Sequence, residues 1–434
     1  MFRRRLLGCQ LAVLLGTCAV AGAQEGARKP GSNGNAALLY WQAFARLSEL
    51  PPAERLVVDY YWEKDKAPAK VRDEVFRKTA GAAKTIHRAV RMPRCDWQED
   101  WTDEPLPHVQ MCRSLGRFLA FRAKHQVEQG QARAAVDDLL AGFTLSRHTA
   151  ADNTIVGVLV GLAIEGIFEG EGVEYLQQMD PTALDALQSG LDHIPPRRTW
   201  KAILAQDKRR LDEWLIPQFA ATSDPDAWKA TLRRMYPDNL SVVERPKAYT
   251  KVADKADRKA SPNPPKVKPA APKVQQEVSA AWPGWARASE LIERFGTREA
   301  LVRHLQEGHE LLDDLAQFPF PPPGKPSPEL RAKIDEMEKR SPFFDEYCSL
   351  QPASYAATVR TAVQFQLLRA AIAVQLHGPA ALKDYPDPSG DGPFEYRKRK
   401  EGFELVSEFR HPSSGWERFS VKVGPLAKGE HRFW

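Results

Sequence analysis

The residues best suited to chemistry are Glu165 and Glu169, one helical turn apart in the apolar run IVGVLVGLAIEGIFEG. A carboxylate in such surroundings must be paired with a cation or keep its proton. Asp137, Asp138 and His148 lie in the segment just before it. Glu165, Glu169, Asp138 and His148 could therefore meet as a carboxylate–histidine cluster between helices, as metal sites in helical bundles do. No Glu-x-x-His pair accompanies them. The competing expectation is a buried structural ion pair of Glu165 with Arg117, Arg122 or Arg147. No metal is expected elsewhere either: His304 and His309 are five residues apart, whereas one helix face needs three or four.

A second group is the run CDWQEDW, from Cys95 to Trp101. Asp96, Trp97, Asp100 and Trp101 place two indoles among acids, a combination that grips sugars or cationic peptides. The alternative is a packed connector whose tryptophans close the edge of a core. Cys95 and Cys112 flank a Pro-containing turn and are the preferred disulfide pair, with Cys348 left over. The alternative is three buried thiols acting as small hydrophobes. No CxxC, GxSxG, HExxH, P-loop or helix-opening GxGxxG is present. No cofactor is expected, and the prior for an enzyme falls without vanishing.

The elements that must position these residues are mostly helical. Asn35 can cap a helix over 36–48 whose apolar face would be Leu38, Trp41, Phe44 and Leu47. Val71 to Arg91 reads as a further helix. Between Leu106 and His148, the stripes Met111/Leu115/Phe118/Leu119 and Ala135/Leu139/Phe143 flank Gly130 and predict an αα-hairpin. Its turn, EQGQARAAVDD, is similar to that of a tetratricopeptide hairpin, without a second copy at a fixed period. Thr154 to Met179 is apolar nearly all round at its start and belongs in a core. Asp180 with Pro181 opens another helix. Pro352 opens a long one through Gln375, with Val359, Val363, Leu367, Ala371 and Val374 on one face. Beyond Gly378, dense turn chemistry separates three short strands near 394–397, 402–409 and 416–423. The fold class is mainly α, a helical-hairpin bundle with a small C-terminal antiparallel β-sheet.

Arg3 to Arg5, a short apolar core and Ala21-Gly-Ala23 have the layout of a secretory signal cleaved after Ala23. No segment of the mature chain is long and apolar enough to be a transmembrane span. The formal charge is +6 over 434 residues. Loss of the three leader arginines leaves +3, and the tract from Arg245 to Lys273 alone carries +7, so the rest is −4. No nucleic acid partner is expected from so acidic a body. The Lys/Pro-rich tract reads as a disordered spacer. The organisation is a signal peptide at 1–23, a helical domain at 24–243, the linker at 244–283, helices completing the body at 284–377 and the β tail at 378–434.

Two segments carry a resemblance. NAALLYWQAFARL resembles the opening of uncharacterised exported proteins of planctomycete-type bacteria. RTAVQFQLLRAAIAV followed by DPSGDGPFEYRKRKEGFELVS resembles their tail. That tail is also similar in layout to the helix-then-hairpin of pseudopilin-like proteins, but here the long helix is internal. The resemblance implies export and no assigned activity. The expectation is an exported cell-envelope protein, non-catalytic, that binds or scaffolds an unknown protein or envelope polymer. The alternative is an envelope-directed hydrolase with a carboxylate site.

Overall fold

Helix starts follow capping chemistry written in the chain. Asn35 accepts from the Ala37 N–H at 3.1 Å and opens α1, Ala36–Ser48. Thr154 accepts from the Gly157 N–H at 2.9 Å, and Asp180 from the Ala183 N–H at 2.8 Å. Each satisfies a donor that has no partner within the first turn.

The computed structural model describes residues 34–60, 67–97, 107–152, 154–210, 292–316 except 294, 342–410 and 418–426, with short stretches at 212–235 and residues 328, 329 and 332. The leader at 1–23, the linker at 244–283, and Asp100 and Trp101 lie outside the described residues. After α1 come α2 (Pro52–Asp59), α3 (Ala69–Lys78), α4 (Ala80–Ala89), α5 (Pro107–Glu128), α6 (Ala132–Thr149), α7 (Ile155–Tyr175) and α8 (Pro181–Asp192). Then follow α9 (Trp200–Arg210), α10 (Ile216–Ala220), α11 (Ala227–Met235), α12 (Arg298–Ala316) and α13 (Pro342–His377). Strands β1 (Glu395–Lys398), β2 (Phe403–Arg410) and β3 (Arg418–Val423) form one antiparallel sheet in that order. The fold is thus mainly helical with a small C-terminal sheet. No helix among the described residues is long and apolar enough to cross a membrane.

The expected hairpin is α5 against α6, and α7 lies across both. Its two stripes are buried throughout. Phe143 meets Phe168 at 6.0 Å and Phe365 at 5.6 Å between ring centroids, tying α6, α7 and α13 together. Since α13 packs on α7 and α8, helices from both sides of the linker share one core. The sheet packs on α13 through β2 and β3. Gly402 closes the sheet with φ +92°, and a Cβ there would sit 2.0 Å from the Val423 carbonyl oxygen.

Three expectations need correction. On α1 the buried side is Leu39, Tyr40, Ala43 and Leu47, while Leu38 is 50% and Trp41 37% exposed. Tyr40 is drawn inward by a buried hydrogen bond, which rotates the face. The helix expected from Val71 to Arg91 breaks at Thr79, where the Thr79 hydroxyl donates back to the Val75 carbonyl at 2.7 Å. Pro352 lies inside α13, which starts ten residues earlier than expected.

Candidate functional site

The centre of the bundle is built on Glu165, fully buried in the middle of α7. Arg147, from the last turn of α6, grips it with two N–H groups: Nη1 to Oε2, and Nη2 to Oε1 at 2.7 Å. Arg197, in the loop after α8, grips it again, Nη2 to Oε1 at 2.5 Å and Nε to Oε2 at 3.2 Å. Arg197 Nη2 also donates to the Thr361 carbonyl of α13 at 3.0 Å. Arg147 Nε donates to the Pro195 carbonyl at 2.9 Å. One carboxylate therefore holds four segments of chain. Burial pushes the Glu165 pKa up, but the Arg197 and Arg147 charges and hydrogen bonds outweigh it and hold the carboxyl below its usual range.

Glu169, one turn on and equally buried, has the opposite fate. Neither of its oxygens has a hydrogen-bond partner among the described residues, and the nearest Arg197 nitrogen is 3.8 Å away. Burial first, and then the charge on Glu165, raise its pKa well above the usual range. Two carboxyls on one helix face are thus pushed in opposite directions, Glu165 toward its charged form and Glu169 toward its neutral one.

The four residues expected as a cluster do not converge. Asp138 is buried on α6 and serves Arg122 Nε at 3.1 Å and His87 Nε2 at 2.7 Å. His148 faces Tyr40, whose hydroxyl lies 2.7 Å from its Nδ1. Only Glu165 and Glu169 remain together. Among the described residues, no three His, Cys, Asp or Glu side chains stand close enough to hold a metal. The reason is helical phase: Asp138, Arg147 and His148 leave α6 in different directions. Of the arginines expected to pair with Glu165, Arg147 does so, whereas Arg122 goes to Asp138 and Arg117 lies 4.0 Å from Asp59.

Trp97 is held as a connector rather than displayed. Its indole N–H donates to the His148 carbonyl at 2.7 Å. Its ring stacks on His108 at 4.8 Å and on Tyr40 at 5.9 Å. Asp96 is pinned through its backbone: its carbonyl accepts from Asn35 Nδ2 at 2.6 Å, and its N–H donates to Asn35 Oδ1 at 2.9 Å. The disulfide expected between Cys95 and Cys112 is not formed; both are thiols, Cys112 buried and Cys95 half-buried. Burial foremost, with their charges, raises the Tyr40 pKa well above its usual value.

Burial, aided by Arg198, depresses the His148 pKa to about 4. An unfolded chain takes up a proton below its ordinary value near 6.5, while the folded chain resists until about 4. Stability should therefore fall as pH drops through this window, by about 3 kcal/mol from this group. Urea unfolding at stepped pH should show a shallower acid slope for His148→Asn, whose amide can bond the Tyr40 hydroxyl in either direction. An identical slope in both proteins would refute the assignment.

Beside the Glu165 centre lies a cleft lined by Ser146, Arg147, Arg197, Arg198, Thr358 and the apolar Val158 and Leu162, among others. Nothing in the periodicity of the sequence singled out Arg197. The only available signal was two arginines after two prolines, at 195–198, in a stiff loop that could aim a side chain. No family model matches this chain, and no curated protein or solved structure matches it either.

Proposed function

We propose that this is an exported cell-envelope protein that binds or scaffolds a protein or envelope polymer and performs no chemistry of its own. One observation carries the reading: the buried carboxylates Glu165 and Asp138 are each taken up by cationic side chains of the fold. Glu165 is saturated by two guanidinium groups, Asp138 is held by Arg122 and His87, and Glu169 is fully buried. A glycosidase acting on envelope sugars through a carboxylate pair would need two acids flanking its substrate. The cleft that exists beside Glu165 is lined by arginines. The exposed Leu38 and Trp41 on α1 offer apolar contact area in the very segment that resembles exported planctomycete-type proteins. The leader motif supplies the route.

Expression of the full chain in a bacterial host, followed by fractionation and N-terminal sequencing, should give a mature species starting at Gln24 outside the cytoplasm. That species should sediment with an envelope preparation without releasing soluble fragments from it. An unprocessed cytoplasmic chain would overturn the export reading. Release of envelope fragments would overturn the non-catalytic one.

A further inference from the structure

We propose that the cleft beside Glu165 is an oxyanion-binding site, taking the phosphate or carboxylate end of a ligand whose body stays outside. This goes beyond the export reading and stands without it. Three arginines, Arg147, Arg197 and Arg198, line one small cleft together with Ser146 and Thr358. Among the described residues the acids near these three arginines are Glu165, bonded to two of them, and Glu169, 3.8 Å from Arg197, so cations outnumber acids even with both carboxyls counted as charged. Uncompensated buried charge is unfavourable and calls for a counter-charge.

The donor inventory says where that counter-charge would sit. Arg197 uses Nε and Nη2 on Glu165 and Thr361, so both Nη1 hydrogens stay available among the described residues. Arg147 spends Nε on Pro195, Nη1 on Ser146 and Glu165, and one Nη2 hydrogen on Glu165, which leaves one more. Arg198 is exposed at the edge of the cleft. Planar guanidinium groups presenting parallel N–H donors match phosphate and carboxylate oxygens. The cleft is partly open, with a cavity volume of about 20 Å³. That is room for the leading oxygens of an anionic group, with the rest of the group at the open mouth. An anionic end can therefore enter, while the rest of the ligand lies against Pro196, Val158 and Leu162 at the mouth.

The test uses the purified mature protein and thermal unfolding at constant ionic strength, with sodium chloride as the balance. Inorganic phosphate and acetate are titrated separately, so that the two sources of an oxyanion are told apart. Saturable stabilisation is expected, with a Tm rise of several degrees at an excess of the better anion. Arg198→Ala should keep the unliganded Tm and lose most of the rise. Arg133→Ala removes an exposed charge about 21 Å away along α6 and should keep it. A rise in neither anion, or equal rises in all three proteins, would overturn the proposal. If Arg198→Ala were to unfold, Arg198→Lys gives the second reading: it retains the charge and should weaken binding at least several-fold by losing the paired donors.

Discussion

Glu165→Ala is expected to lower folding stability by about 3–5 kcal/mol, because it strands two guanidinium groups beneath the surface. The side chains of Arg147 and Arg197 are 9% and 21% exposed, so water cannot fully replace the lost carboxylate. The same change frees the Thr361 and Pro195 anchors that Arg197 and Arg147 hold in register. Urea denaturation at neutral pH reads the effect directly. Glu169→Gln is the companion experiment, because burial disfavours the charged form of Glu169. The raised pKa of Glu169 means that stability from its protonated form is full at acid pH and is lost as pH rises through the folded value. Glutamine removes that loss, so the variant should match the parent in acid and exceed it in alkali. A Glu165→Ala protein as stable as the parent would refute the central ion pair. A Glu169→Gln protein as damaged as Glu165→Ala would refute the division of roles.

Gly142→Ala should be damaging on a similar scale, about 3 kcal/mol, at the upper end of what an overpacked core suffers. A Cβ at this position of α6 would sit 2.1–2.3 Å from three carbons of the Phe168 ring. That ring is fully buried and is flanked by Phe143, so it has nowhere to turn. Relief requires α7 to move away from α6, and that movement would lengthen the Arg147–Glu165 contacts that span the same two helices. Phe168→Leu in the Gly142→Ala background should recover part of the stability by shortening the obstructing group. Gly142→Ala with an unchanged unfolding midpoint would show that the two helices are not in close contact here.

Some of this protein was legible in residue order. Caps at Asn35 and Asp180 are local hydrogen bonds between a side chain and the backbone two or three residues on, and both form. The hairpin stripes from Met111 to Phe143 are buried throughout, because a 3.6-residue period needs only one apolar neighbour to be satisfied. The three strands fall within two residues of expectation, since turn chemistry punctuates them. The sequence also marked Glu165 as a charge in need of a partner, because an apolar helix cannot solvate a carboxylate.

The partner itself was a matter of tertiary structure. Arg147 was one of three reachable candidates, and Arg197 comes from a loop 32 residues away whose aim depends on how α8 leaves α6. Asp138 and His148 sit near Glu165 in sequence and still go elsewhere, one to Arg122 and His87, the other to Tyr40. The inward turn of Tyr40 and the capture of the Trp97 indole by the His148 carbonyl were equally invisible in the chain. Capping and periodicity act over a few residues, so the sequence states them outright. Pairing of buried charges depends on where helix axes cross and which face each turns inward, and packing alone decides that.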